Sequence, residues 1–172
     1  MQKAVEAIEA FIDGVGKLTL WITLLMIGLV ATNVLLRYSM SVGSVWAQEL
    51  EWHLLAPLIL FGIPYALFKG EHVRVDVFFE KFSASNQQRV EIVSQALGIL
   101  IALAFAWLSF RYFQQSFAIG EKSSDPGGLP YRWALKALLP AGFILLALQS
   151  FATLLGAVEK LRASPQRSGA SS

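Results

Sequence analysis

The chain has 172 residues, of which 55% are hydrophobic and 15% charged, and its mean hydropathy is +0.55. Several uncharged stretches approach the length of a bilayer crossing, which places it among membrane proteins rather than one-domain soluble ones. A net charge of +2, spread over connecting segments, excludes a nucleic-acid patch, and the lack of cysteine excludes disulfides, thiol nucleophiles and cysteine metal sites.

In chain order, residues 1–16 form an amphipathic helix at the interface. Ala4, Val5, Ile8, Phe11 and Ile12 recur at helical spacing, opposite Lys3, Glu6, Glu9 and Asp13. Those early acidic residues are wrong for a signal-peptide n-region, so the first apolar run is expected to remain as a span. Gly14 and Gly16 permit a bend before that span, residues 18–36. Thr19, Thr23 and Thr32 can bond back to their own helix, whereas Asn33 is expected to face a neighbouring helix.

A polar hairpin, residues 39–44, leads to the second span, residues 47–68. Its core, Leu54 to Phe68, is short for a crossing, so the turn from Trp46 to His53 extends it. Pro57 and Pro64 lie seven apart and each removes an intrahelical hydrogen bond, which predicts a kink. The connection from Lys69 to Asn86 alternates Val73, Val75 and Val77 with Arg74 and Asp76, an interfacial pattern. Ser85 with Gln88 reads as a capping box for the third span, residues 90–110. There Gly98, Ala102 and Ala106 make a small-residue stripe for close helix approach. A polar loop over residues 111–136, broken by Pro126, Gly127, Gly128 and Pro130, precedes the fourth span. That span covers residues 137–158, with Pro140 in its first turn, and residues 161–172 form a disordered cytoplasmic tail.

The fold class is therefore an all-α integral membrane protein: four transmembrane helices, an N-terminal amphipathic helix and an interfacial segment between helices 2 and 3. With four spans, nine Lys and Arg fall on the side of the termini and five on the other. The positive-inside rule puts both termini in the cytoplasm.

Nothing in the chain points to catalysis, a cofactor or a resident metal. No span carries an Asp, Glu, Lys, Arg or His near its centre, although proton relays and ion pathways usually need one. His53 and His72 are separated by the second span and so cannot share a haem or a metal. P-loop, dinucleotide, G-x-S-x-G and H-E-x-x-H motifs are absent. The polar candidates are Glu49 and Glu51 at the outer mouth of the second helix, flanked by Trp46 and Trp52. Each has an ordinary explanation in the helix dipole or the aromatic belt, and a sharper one as a partner contact. Arg74 and Asp76, on the opposite side, are either solvated or paired with a partner's loop. A redox-complex anchor would need histidines facing each other inside helices, and a small multidrug carrier would need a membrane-buried carboxylate. A scaffold that packs on another membrane protein needs neither.

Trp46-Ala47-Gln48-Glu49 opens the second helix, and His72-Val73-Arg74-Val75-Asp76 follows it. With the loop Ser123-Ser124-Asp125-Pro126-Gly127-Gly128-Leu129-Pro130 and Lys136 to Pro140, these elements resemble the small Q subunit, DctQ type, of tripartite ATP-independent periplasmic (TRAP) transporters, over residues 15–160. At His53-Leu54-Leu55-Ala56-Pro57 the chain departs from that family's plainer apolar run. The resemblance implies a bacterial inner-membrane subunit paired with a large membrane subunit (M) that holds the sodium and substrate sites. A periplasmic binding protein (P) would deliver an organic anion, commonly a carboxylate. It further implies that Trp46, Glu49, Glu51 and Asp125 are docking candidates on the outer face, and that His72, Arg74 and Asp76 brace the scaffold on the cytoplasmic face.

Overall fold

The computed structural model describes residues 2–71 and 82–163. Four helices account for nearly all of them: α1 Gln2–Met40, α2 Val45–Lys69, α3 Ala84–Ala118 and α4 Arg132–Ala163. Each is long and apolar enough to cross a membrane. At 1.5 Å per residue, α1 and α3 measure roughly 58 and 52 Å, well beyond a hydrocarbon core of about 30 Å. The apolar runs mark where lipid sits, and the helices continue past it on both sides.

Several expected boundaries move for that reason. The amphipathic start and the first span form one uninterrupted helix, with Gly14 and Gly16 inside it and no break between them. α3 runs on through Arg111–Ala118, a stretch without proline or glycine, and α4 begins at Arg132. The expected loop over residues 111–136 thus shrinks to residues 119–131, and Pro140 lies in the helix interior rather than the first turn. The N-cap of α3 is Ser83, whose hydroxyl accepts from the Asn86 amide at 3.4 Å, and not Ser85. The Gln87 side chain, which donates to the Phe82 carbonyl at 3.3 Å, reinforces that earlier start. α4 also takes in residues 161–163 of the expected tail; the interfacial segment expected over residues 69–86 loses Lys69 to α2 and residues 84–86 to α3, and its residues 72–81, like residues 164–172, lie outside the described residues.

Ser44 caps α2 by accepting from the Ala47 amide, and Gly70 closes it in the left-handed region at φ 75°. Thr19 and Thr23 donate to the Val15 and Thr19 carbonyls at 2.8 and 2.9 Å, the expected back-bonding.

Packing is closest between α3 and α4 and next between α1 and α2, and α4 also touches both α1 and α2. α4 is accordingly buried on two faces, through Gly142, Leu145, Gln149 and Ala152 on one and Ala147, Ser150 and Ala157 on the other. The stripe predicted on α3 meets it: Ala102 and Ala106 are buried, a Cβ at Gly98 would sit 3.5 Å from Ser150 Oγ, and Phe105 stacks on Phe143 at 5.3 Å. Outward faces are apolar and bare, with Trp21 72% and Trp107 65% exposed. Such side chains belong in lipid or against another membrane protein.

The α1–α2 pair is pinned at one end. Asp13 accepts from Lys69 at 2.9 Å and from Lys17 at 2.6 Å, and the Lys69 ammonium lies over the Phe68 ring at 4.4 Å. Just beyond, Gly16 rests against Tyr65, where a Cβ would fall 2.0 Å from the ring. Gly16→Val should therefore separate the pair at a cost of about 1–3 kcal/mol. Thermal unfolding in detergent would show it, and Tyr65→Ala in the same chain should recover most of the loss.

Candidate functional site

The start of α2 carries Trp46, Glu49, Glu51 and His53 within two turns. Glu49 and Glu51 are two residues apart, about 200° around a helix, so they face opposite ways. Glu51 turns to α1 and accepts from the Asn33 amide at 3.0 Å. This is the neighbouring-helix contact expected of Asn33, which is buried. Glu49 turns to the loop between α3 and α4. One of its oxygens accepts from the Ser123 hydroxyl and the other from the Leu129 amide, the latter at 2.6 Å.

The loop is shaped to deliver those donors. Asp125-Pro126-Gly127-Gly128 forms a β-turn closed by the Gly128 amide donating to the Asp125 carbonyl at 3.0 Å. Pro126 suits its second position, and Gly127 at φ 82° supplies the positive φ that a type II turn requires in its third. Ser123 and Leu129 are joined by an amide-to-carbonyl bond of 3.1 Å, and the Asp125 amide donates to Ser123 Oγ at 3.1 Å. At Gly128 a Cβ would fall 2.7 Å from Glu49 Oε2, so only glycine lets the turn close on the carboxylate. Asp125 itself is exposed at the turn's rim.

A second carboxylate ties the other end of the loop. Glu121 accepts from Ser116 Oγ at 2.5 Å and from the Lys136 ammonium, and its backbone bonds the Ser116 carbonyl and the Arg132 amide. Lys136 lies over the Tyr112 ring at 4.0 Å, and Phe117 meets Trp133 edge-on at 5.1 Å. The Lys136 ammonium, then the Ser116 hydroxyl, hold the Glu121 carboxyl below its ordinary value of 4.5. A lowered carboxylate contributes stability that is fully present above that ordinary value and lost as pH falls through the folded one. Protease nicking of residues 119–131 should hence accelerate below pH 4.5, and Glu121→Gln should flatten that acid dependence.

Between these anchors lies a cavity of about 180 Å³ lined by Gln48, Glu49, Trp52, His53, Asp125 and Arg132. His53 Nδ1 donates to the Glu49 carbonyl at 2.7 Å, and its buried Nε2 has no partner among the described residues. Trp46 and Trp52 face outward, 47% and 71% exposed. Of the candidates on the other side, His72, Arg74 and Asp76 lie outside the described residues. Ser123 and Leu129 entered the sequence reading only as part of the loop that carries the family resemblance, and Glu121 was not singled out; the turn Asp125 to Gly128 gave no hint of which helix it would meet.

Residues 26–160 match the family model described as tripartite ATP-independent periplasmic transporters, DctQ component. No curated protein matches the chain.

Proposed function

Because this chain belongs to the DctQ family of tripartite ATP-independent periplasmic transporters, we propose that it acts as a non-catalytic scaffold for the large membrane subunit. It also helps dock the periplasmic binding protein during ion-gradient-driven uptake of an organic anion, a carboxylate above all. The observation that carries the reading is the family match over four helices whose outward faces stay apolar and bare. Such helices gain by leaning on a larger neighbour and, among the described residues, enclose no charged path for a solute at mid-membrane. The positive-inside count favours an inner-membrane protein with both termini in the cytoplasm, so the Glu49 end of the bundle faces the periplasm. Trp46 and Asp125 then flank a loop latched by Glu49 as a docking surface, with Glu51 on the α1 side of the same helix end and His72, Arg74 and Asp76 bracing the cytoplasmic side.

Vesicles holding the large subunit should lose binding-protein-dependent uptake when this subunit is omitted and regain it on its return. Uptake that survives omission intact, or solute movement by this chain alone down an ion gradient, would overturn the proposal.

A further inference from the structure

At the opposite end of the bundle from Glu49, a second cavity of about 340 Å³ opens among the start of α1, the end of α2, the start of α3 and the end of α4. Gln149 lines it from α4. This side chain is 1% exposed, and its Oε1 has no hydrogen-bond partner among the described residues. The orientation of the amide follows from its neighbour. Thr153 uses its one hydroxyl proton on the Gln149 carbonyl at 3.0 Å, so only the amide nitrogen can face Thr153 Oγ1, at 3.4 Å. Oε1 is thereby left as an acceptor needing a donor, and an unsatisfied buried acceptor is costly.

The rest of the lining says what kind of donor fits. Glu9 and Glu91 add carboxylates; Glu91 also accepts from the buried Gln95 at 2.9 Å. Lys160 adds one positive charge, and Leu67 and Phe68 add an apolar wall. Among the described residues the lining sets two carboxylates and the Gln149 oxygen against one cation, with the Gln87 and Gln88 amides and hydrocarbon beside them.

We propose that this cavity binds a primary ammonium group, presented by a phosphoethanolamine lipid headgroup or by a soluble amine. The ammonium's three N–H donors go to Gln149 Oε1 and the carboxylates, and Lys160 meets the phosphate of a lipid. At about 30 Å³ per water the cavity has room for such a headgroup. A trimethylammonium group, which has no N–H, cannot satisfy Gln149. The site is independent of the docking role proposed above.

The test uses the purified full-length chain in detergent, with phosphatidylethanolamine, phosphatidylcholine of matched acyl chains, and free ethanolamine. Bound lipid is read by native mass spectrometry and protection by thermal unfolding. Phosphatidylethanolamine should be retained several-fold more than phosphatidylcholine and raise the unfolding midpoint. Gln149→Leu and Glu9→Gln should each bring its retention toward the phosphatidylcholine level. If free ethanolamine protects as well as the lipid, the site stands and its ligand is a soluble amine. Equal retention of the two lipids by the wild-type chain overturns the proposal. So does unchanged retention in Glu9→Gln, the partly exposed rim variant that decides the matter should Gln149→Leu fail to fold.

Discussion

Glu49→Leu should free the turn around Asp125 and Leu129 from the start of α2 and lower uptake at limiting binding-protein concentration on the order of tenfold, with the subunit still in the membrane. The scale is that of lost charge-assisted hydrogen bonds. Leucine leaves the Ser123 hydroxyl and the Leu129 amide without their acceptor. The loop would still be held at its start by Glu121, so opening is confined to the turn around Asp125 and to Leu129. Limited proteolysis separates the steps: faster cleavage in Glu49→Leu establishes the latch, and reduced uptake connects the latch to docking. Glu49→Gln, which keeps one acceptor oxygen, should fall between leucine and wild type. Reversing both Glu49 and Glu51 to lysine should be worse, because the first change brings a cation near Arg132 and the second strips Asn33 of its acceptor. Uptake by the double variant equal to wild type would remove these residues from docking.

Gly142→Val should destabilise the bundle by the upper part of the ~1–3 kcal/mol range for overpacking. A Cβ there would fall 2.7 Å from Leu60 Cβ and 3.1 Å from the Leu60 carbonyl oxygen. Neither atom can swing aside as a side-chain tip can, so α2 and α4 must part. Pro64 has no N–H to give, which frees the Leu60 carbonyl from its intrahelical partner, and Gly142 allows α4 to lie against that same carbonyl. The proline of one helix and the glycine of the other thus belong to one contact. Gly156 on the same helix has open space where its Cβ would be, so Gly156→Ala serves as a control and should be neutral or stabilising by up to about 1 kcal/mol. Thermal unfolding in detergent compares the two, and equal midpoints would count against the contact.

The small-residue face of α3 was legible because Gly98, Ala102 and Ala106 repeat at the helical period and need no knowledge of the partner helix. That Asn33 must find another helix was legible too, since a carboxamide in hydrocarbon requires a partner. Its partner was not: Glu51 read first as a dipole-stabilised residue and second as a contact for a partner protein, and neither reading pointed to α1. The loop boundaries failed for a related reason. Polar residues such as Gln114, Gln115 and Arg132 end an apolar run without ending a helix, because α-helix needs only its own backbone bonds and lipid ends long before they do.

Four membrane helices followed from the sequence by itself, since uncharged runs of that length have no other comfortable solvent and the backbone there must bond within its own segment. The latch of Glu49 on Ser123 and Leu129, the buried acceptor of Gln149 and the meeting of Gly142 with Leu60 were decided by tertiary structure alone. The latch and the Gly142–Leu60 contact join residues 74 and more positions apart, and a hydrogen bond or a steric fit across that distance leaves no periodic trace in either segment.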